Sequence, residues 1–259
     1  EVTWFSIVPT IISHLLHSDI TPAPETRARL RFGRSASAPL SPDVQTAFET
    51  RFEVPIVETM GLTETAAQIL SNPLPPGVRK IGSPGKAYGN EACIMSPDLT
   101  PLGPEAEGEI CVRGPNVMQG YWNMPEKTAE VLVDGWYHTG DGGYFDADGY
   151  LFLVDRIKDM IISGGENISS VEVEGALMHH PAVLLCAVVA KPDETWGEVP
   201  CAFIELKEGA SVTPDELRSF TRDRLAGFKC PKAFEFGELP KTSTGKIQKF
   251  ELRKRLKGS

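Results

Sequence analysis

The stretch SPDVQTAFETRFEVPIVETMGLTET, residues 41–65, predicts a helix, a strand and a glycine-containing turn in succession. Ser41 followed by Pro42 is typical of a helix N-cap and first turn. The letters PDVQTAFETRF have helical spacing, and VPIVETM has the apolar character of a buried strand. Upstream, we expect a strand at RARLRF and a small-residue turn at RSASAPLS. This order of strand, helix and strand is typical of a parallel sheet.

The hydrophobic pattern of the sequence changes twice beyond this stretch. Short alternating runs such as EGEICVRGP and GYLFLVD, separated by Gly and Pro, indicate a small barrel or an antiparallel sheet. The last hundred or so residues have their own mixed pattern. We expect helices at 169–179, 213–227 and 246–257 and strands at 182–190 and 199–206.

The predicted fold class is therefore α/β with a small β-barrel-like subdomain, followed by a separate α+β C-terminal domain. We place a first domain at 1–155, of which 1–75 forms the parallel sheet and 76–155 the β-rich part. A second, small and mobile domain occupies 156–259, with a hinge near 155–158.

Composition excludes several classes of function. The 259 residues are 41% hydrophobic and 24% charged, as in an ordinary globular protein. No apolar run approaches the roughly 20 residues that span a bilayer, so we expect no transmembrane helix. The net charge of −9 disfavours nucleic acid as a partner. Nine basic and three acidic residues between 229 and 259 nevertheless make a basic segment that can attract a small polyanion.

The cysteines bear on the cellular location of the protein, and the N-terminal sequence bears on whether the fold is complete. The five cysteines are widely spaced and form no C-x-x-C pair, which argues against disulfides and zinc and favours the cytoplasm. We expect packing or surface roles for the five histidines. The start, EVTWFSIVPT, lacks a Met and the basic stretch of a signal peptide. It resembles a cut through the middle of a fold.

Two segments of the first domain combine glycine with groups that bind phosphate or ribose. ETMGLTET, residues 58–65, follows a predicted strand and presents the Thr63 hydroxyl beside the Glu64 carboxylate, a pair suited to phosphate and Mg²⁺. WYHTGDG, residues 136–142, holds Asp141 in a Gly-rich turn, where a carboxylate can accept from two ribose hydroxyls. Each segment alone is also compatible with an ordinary turn.

Two further segments have the character of a hinge and of a loop that delivers charge. VDRIKD, residues 154–159, followed by IISGGEN, residues 161–167, places charged side chains beside a double glycine at the domain boundary. PKTSTGKIQK, residues 240–249, is a loop of small residues that can bring one lysine onto a phosphate. A plain linker and a surface loop are the structural alternatives.

In order and over essentially the whole chain, the four segments resemble the superfamily of acyl- and aryl-CoA synthetases, peptide-synthetase adenylation domains and luciferases. The sequence is most similar to acyl-CoA synthetases, including oxalate–CoA and fatty acid–CoA ligases, with LSNPLPPGVRKIGSPGKAYGNE as the closest local similarity. The resemblance implies ATP-dependent activation of a carboxylic acid to an acyl-adenylate. Transfer of the acyl group to coenzyme A would follow.

The resemblance also implies a role for individual residues. In the nucleotide and acyl site it implies Mg²⁺ at Glu64, α-phosphate at Thr63 and Glu64, the ribose at Asp141 and Arg156, and pocket walls from Ser37, Ala38, Pro39, Met60 and Gly61. In the second domain it implies the hinge at Lys158, the adenylation lysine at Lys246, and the coenzyme A channel at Gly164, Gly165 and Glu166.

One part of the family pattern is missing from the sequence. The Ser/Thr/Gly-rich phosphate loop that ends in Lys has no counterpart here, and the closest Gly-rich stretch, ISGGENIS, belongs to the hinge. We therefore interpret the chain as a C-terminal portion that is inactive alone and works with a missing N-terminal half. Two alternatives stay open. One is an adenylation domain that loads a carrier protein, and the other is a non-catalytic nucleotide- or CoA-binding remnant.

Overall fold

The computed structural model describes residues 2–242 and 245–257. The chain divides into two compact units, Glu1–Leu153 and Val154–Ser259. Each unit has its own hydrophobic core and is described by itself. Rotation about 155–158 stays a prediction.

The first part of the first unit is built around a five-stranded sheet of order β1-β2-β3-β4-β5. Its elements are β1 (Trp4–Ile7), α1 (Pro9–Leu16), α2 (Pro24–Arg29), β2 (Phe32–Ser35), α3 (Pro42–Phe52), β3 (Ile56–Leu62), β4 (Ala67–Ser71) and β5 (Lys86–Ala87). The strands β1, β2 and β3 run parallel. A core of Ile12, Leu40, Phe48, Phe52 and Ile56 lies against them, so the apolar stripe of α3 is what covers this sheet.

The sheet departs from the sequence prediction at two places. The segment predicted as the strand RARLRF ends a helix instead, because Pro24 at the first turn and Arg27 and Arg29 in the last turn suit a helix, and the strand begins at Phe32. The second difference is that β3 and β4 are antiparallel, since the chain reverses at Ala66, which has a left-handed backbone. The sheet is therefore mixed rather than wholly parallel.

The second part of the first unit is an antiparallel sheet of order β10-β9-β7-β6, with β8 paired to β9. Its elements are β6 (Glu91–Met95), β7 (Gly108–Arg113), α4 (Pro125–Val131), β8 (Leu132–Val133), β9 (Trp136–Phe145) and β10 (Leu151–Arg156). Ile94, Ile110, Val112 and Leu151 pack with Met60, Ile69 and Leu70 of the preceding sheet. One core therefore joins the two sheets of this unit.

The second unit has an independent α+β core. Its elements are β11 (Ile161–Ser163), β12 (Glu166–Ile168), α5 (Ser170–Met178), β13 (Val183–Asp193), β14 (Gly197–Leu206), α6 (Pro214–Arg222), β15 (Ala233–Phe236) and α7 (Lys249–Lys257). The sheet order is β12-β11-β14-β13, with β15 parallel to β14. Helix α6 begins with a capping box between Thr213 and Glu216, which explains its sharp start.

These two units confirm the predicted fold class. Helix α3 coincides with the predicted PDVQTAFETRF, although the Ser41 side chain makes no capping hydrogen bond. Across the part of the chain that the structure describes, no helix combines the length and the apolar character needed to cross a membrane.

Glu58 of β3 is a carboxyl group buried inside the first unit. It is 4% exposed, Oε1 accepts from the Leu40 amide at 3.3 Å, and within the described residues Oε2 has no hydrogen-bond partner. Burial raises the pKa of Glu58 to about 7, and the Leu40 N–H opposes that shift. Because the folded pKa lies above the ordinary value, ionisation of this group costs stability.

The stability of the first unit should therefore fall as pH rises. Between about pH 5 and pH 7 the unfolded chain is largely without the Glu58 proton while the folded chain still holds it, so the free energy of unfolding decreases by about 2 kcal/mol. The substitution Glu58→Gln should flatten this slope, since the amide stays neutral. Urea unfolding at several pH values measures the slope. An identical pH slope in the wild type and the variant would contradict the assignment.

Glu49→Gln is the matched control on α3. Burial raises the pKa of Glu49, but the hydrogen bonds from Arg79 and Gln45 outweigh it and hold the pKa below its ordinary value. The stability that Glu49 contributes is lost as pH falls, which is the opposite sign. Its substitution should leave the decrease between about pH 5 and pH 7 in place.

Candidate functional site

The turn after β3 presents the Thr63 and Glu64 side chains. Thr63–Thr65 forms a single 3₁₀ turn, in which Thr63 is exposed and Glu64 is half-buried. Thr65 Oγ1 accepts from the Leu62 amide at 3.2 Å and closes the turn. The chain then enters β4, so the turn joins two antiparallel strands rather than a strand and a helix.

A segment between β7 and α4 holds Glu64 in place. The Tyr121 hydroxyl donates to Glu64 Oε1 at 2.9 Å, and the Met118 amide donates to the Glu64 carbonyl at 2.7 Å. Burial raises the pKa of Tyr121, as does its bond to Glu64. The sequence analysis missed Tyr121, because a partner that lies 57 positions away in sequence follows no local pattern.

Asp141 lies on β9 and is 9% exposed. The Asp141 amide donates to Thr139 Oγ1 at 3.1 Å, and that hydroxyl donates to the Ile110 carbonyl at 2.8 Å. Gly140 has φ +71°, a conformation that favours glycine. The backbone around Asp141 is therefore fixed by neighbouring strands.

A hydrogen-bonded group on β7 and β9 supports the backbone of β9 at Gly140. Among the described residues, Glu109, Cys111 and His138 form one group whose potential metal-ligating atoms lie within 4.8 Å of one another. However, Glu109 Oε2 accepts from His138 Nδ1 at 2.7 Å, and Oε1 accepts from the Gly140 amide at 2.9 Å. Burial raises the pKa of the Cys111 thiol to about 12. We therefore interpret the group as a support for Gly140 rather than a metal site.

The small-residue turn and the glycine turn complete the candidate residues of the first unit. Ser37, Ala38 and Pro39 are exposed in a bend after β2, and Ser37 has φ +76°. Met60 is 9% exposed and packs in the core that joins the sheets. Gly61 is exposed, but a Cβ there would lie 1.9 Å from the Ala67 carbonyl oxygen. Gly61 is thus required by the backbone of the β3–β4 reversal.

Arg156 and Lys158 stand at the start of the second unit. Arg156 ends β10, and its amide donates to Asp155 Oδ1 at 2.7 Å. Lys158 is exposed in the 3₁₀ turn Ile157–Asp159. Asp155 is 6% exposed, and its Oδ2 accepts from the Ser170 amide at 2.5 Å, which ties the start of α5 to this segment.

The double glycine makes a two-residue hairpin turn. Ser163 of β11 pairs with Glu166 of β12, and Gly164 and Gly165 between them have φ +60° and +90°. Positive φ at both central positions is the geometry of a type I′ hairpin turn. All three predicted residues, Gly164, Gly165 and Glu166, are exposed. The Trp196 ring covers Gly164, where an added Cβ would lie 2.8 Å from the indole.

Lys246 is exposed near the end of a short hairpin before α7. The Thr242 amide donates to the Lys246 carbonyl at 2.9 Å, and Lys241 and Ile247 form a β-bridge. Ser243 and Thr244, which belong to the predicted loop, lie outside the described residues. Most of the predicted residues therefore lie in or next to turns, whereas Met60 is in the core and Asp141 lies within β9.

Two family models match the chain. The model for AMP-binding enzyme matches residues 1–122, and the model for the C-terminal domain of AMP-binding enzyme matches residues 172–246. Together they cover most of the chain and both of its units.

Named relatives and solved structures agree with these models. The chain is 45% identical over 252 residues to sulfoacetate–CoA ligase of Cupriavidus necator, covering 96% of this chain and 49% of the relative. It is 44% identical over 253 residues to oxalate–CoA ligase of Arabidopsis thaliana, covering 96% and 49%. ATP-bound MatB from Rhodopseudomonas palustris superposes with a TM-score of 0.92 at 35% identity, covering 99% of this chain and 51% of MatB. The chain spans about half the length of the curated relatives it matches.

Gly61→Ala tests the close approach of the two strands. The new methyl group has no room beside the Ala67 carbonyl, so we expect the free energy of unfolding to fall by about 3 kcal/mol or more. Gly175→Ala is the matched control, because the space around a Cβ at this helical position is open, and there alanine should stabilise by about 0.5–1 kcal/mol. Denaturant unfolding of both variants gives the comparison. An unchanged stability of Gly61→Ala would contradict the predicted backbone contact.

Proposed function

The chain belongs to the AMP-binding enzyme family, as its four motif segments predicted, and on that premise we propose that it activates a carboxylic acid with ATP and transfers the acyl group to coenzyme A. The named relatives that support this proposal are CoA ligases. The observation that carries it is the position of Thr63, Glu64 and Lys246 in hydrogen-bonded turns. Thr63 and Lys246 are exposed there and Glu64 is half-buried, so a substrate can reach them.

We propose that the first unit binds the nucleotide. Thr63 donates its hydroxyl to the α-phosphate, and Asp141, with Arg156 of the second unit, binds the ribose hydroxyls. Ser37, Ala38, Pro39, Met60 and Gly61 form the walls for the adenine and the acid. Glu64 and Thr63 offer hard oxygen ligands of the kind that Mg²⁺ prefers, and Tyr121 fixes one Glu64 oxygen. Bound Mg²⁺ would neutralise phosphate charge as pyrophosphate leaves.

The second unit would serve both half-reactions. In the first, Lys246 stabilises the negative charge that builds up as the carboxylate attacks the α-phosphorus. In the second, the unit rotates about Lys158, Lys246 leaves the site, and the turn at Gly164, Gly165 and Glu166 lines the path of the coenzyme A thiol. The thiol attacks the carbonyl of the adenylate and AMP leaves.

We propose further that catalysis needs an N-terminal part that supplies the phosphate loop. The chain spans about half of its relatives, and none of its segments resembles that loop. The direct test joins the chain to its upstream sequence or, as a chimera, to the N-terminal part of MatB. This completed enzyme should release pyrophosphate when it is given ATP, Mg²⁺ and a suitable acid, whereas the chain alone should not. Turnover by the chain alone would contradict this part of the proposal.

The acceptor and the acid are settled by the same assay. Sulfoacetate and oxalate are the first acids to test, because they are named for two of the relatives that the chain resembles. Thioester formation with free coenzyme A supports the proposed ligase, and transfer to carrier protein alone would support the carrier-loading alternative. A completed enzyme that binds AMP or coenzyme A without releasing pyrophosphate would support a non-catalytic binding module. A cytoplasmic location stays a prediction.

Lys246→Ala should abolish adenylation in the completed enzyme and spare the second half-reaction. Loss of a charge about 4 Å from a phosphate lowers the rate by roughly a thousandfold. Pyrophosphate release measures the first step, and conversion of a supplied acyl-adenylate measures the second. Pyrophosphate release within about tenfold of wild type would be incompatible with the assigned role.

Lys158→Pro should have the reverse effect. Proline fixes φ near −65° and blocks rotation at the hinge without touching the nucleotide site. Adenylation should persist while thioester formation collapses. Equal loss of both half-reactions would count against a hinge at this residue.

A further inference from the structure

The hairpin that carries Lys246 is held at both ends by its own backbone. The Thr242 amide donates to the Lys246 carbonyl at 2.9 Å, and the Gln248 amide donates to the Pro240 carbonyl at 2.8 Å. These bonds set the direction of the chain. A two-stranded hairpin alone is nevertheless marginally stable in water.

Lys241 anchors the first arm of the hairpin to the sheet. The Lys241 ammonium lies 3.0 Å from Oε1 and 2.9 Å from Oε2 of Glu205 on β14. Glu205 Oε2 also accepts from the Leu239 amide at 3.1 Å. The two side chains are 28% and 18% exposed, so water screens the pair less than it screens a surface pair.

Lys249 anchors the second arm to helix α5. The Lys249 ammonium lies 2.7 Å from Glu174 Oε1 and donates to Ser170 Oγ at 2.6 Å. Glu174 Oε1 also accepts from the Val188 amide of β13 at 2.7 Å. The Lys249 and Glu174 side chains are 18% and 20% exposed. Burial raises the pKa of Glu174, and the Lys249 charge opposes that shift.

The exposed Lys254–Glu251 pair on α7 provides a contrast. Its side chains are 67% and 40% exposed, and the two residues are neighbours on one helix. A pair of this kind contributes little to stability. The Lys241–Glu205 and Lys249–Glu174 ion pairs instead join segments that lie 36 and 75 positions apart along the chain. They therefore constrain the tertiary position of the hairpin.

We infer that Lys241 and Lys249 are positioning residues that clamp the hairpin and thereby place the Lys246 ammonium for adenylation. This inference rests on the proposed function. The basic residues of the motif then divide into two kinds, since the Lys246 side chain is exposed to meet the substrate while Lys241 and Lys249 are turned inward onto carboxylates. Neither clamp residue touches the reacting atoms.

The clamp matters because adenylation depends on the place of a single charge. A reactive group misplaced by about 1 Å can cost up to a hundredfold in rate. Thioester formation proceeds after Lys246 has left the site. Loosening the hairpin should therefore slow the first half-reaction and leave the second unchanged.

The kinetic test uses Lys241→Met and Lys249→Met in the completed enzyme. Methionine removes the charge and keeps most of the aliphatic stem. Each variant should release pyrophosphate at least roughly tenfold more slowly, with thioester formation from supplied acyl-adenylate within about twofold of wild type. Lys254→Met, the matched control, should leave both rates unchanged. Arginine at 241 or 249 should restore most of the adenylation rate, because it keeps the pair to the carboxylate.

A physical readout on the chain itself separates the clamp from the catalytic proposal. Amide hydrogen exchange at 245–248 should be faster in the two clamp variants and unchanged in Lys254→Met. The double variant Lys249→Met with Glu174→Gln removes the unpaired carboxylate, so its core should stay folded while the hairpin still exchanges fast.

The outcomes divide the two proposals cleanly. Wild-type adenylation rates in both clamp variants, or wild-type exchange at 245–248, would overturn the clamp. So would equal loss of both half-reactions without any change in exchange. Suppose that exchange at 245–248 is faster in the clamp variants and that the completed wild-type enzyme forms no adenylate with any acid. This combination would support the clamp and contradict the proposed function.

Discussion

The positions of Thr63 and Glu64 in the first unit depend on the close approach of two backbones at Gly61 and Ala67. No side chain fits between Gly61 and the Ala67 carbonyl, so β3 and β4 meet only with glycine at this position. That contact sets the register of the reversal and makes Thr63–Thr65 a single 3₁₀ turn. Once the turn is fixed, Tyr121 and Met118 can reach Glu64 from a distant segment. The orientation of the proposed metal ligand therefore follows from a steric exclusion.

The second unit relies on electrostatic pairs where the first relies on backbone contact. The Lys246 hairpin is short, and two half-buried ion pairs join it to the sheet and to α5. A third pair joins Arg253 of α7 to Asp159, beside the predicted hinge residue Lys158. The proposed adenylation lysine and the hinge segment are therefore attached to the same helix. A movement at the proposed hinge would therefore reach the hairpin through α7 and the Arg253–Asp159 pair.

Local patterns predicted the parts of the fold that local forces determine. Helix α3 coincides with its prediction because proline at its start and an apolar stripe both act within a few residues. The segment RARLRF was wrongly predicted as a strand, since its alternating basic residues suit the last turn of α2. The antiparallel pairing of β4 depends on left-handed alanines at 66 and 67, and that conformation is not expected from alanine. Tertiary packing decides such positions, and the sequence pattern does not contain it.

In the candidate site, too, some features follow from local sequence and others from tertiary packing. Motif resemblance supplied Thr63, Glu64, Asp141 and Lys246, and Lys241 and Lys249 lie in the same segment as Lys246. The partners that these residues contact do not follow from any motif. Glu109 meets His138 across 29 positions and Lys249 meets Ser170 across 79, distances at which only the folded register brings side chains together. Supporting residues of this kind become visible once the strands are paired.

The supports of each proposed site residue lie inside the unit that carries that residue. Tyr121 and Met118 serve Glu64 within the first unit, and Glu205 and Glu174 serve the Lys246 hairpin within the second. The division between Leu153 and Val154 falls inside β10, and the supports named above lie on the same side of it as the residues they hold. Under the proposed function, a chimera of two relatives joined just beyond β10 should therefore exchange the unit that carries Thr63 and Glu64 while the contacts around Lys246 stay unchanged.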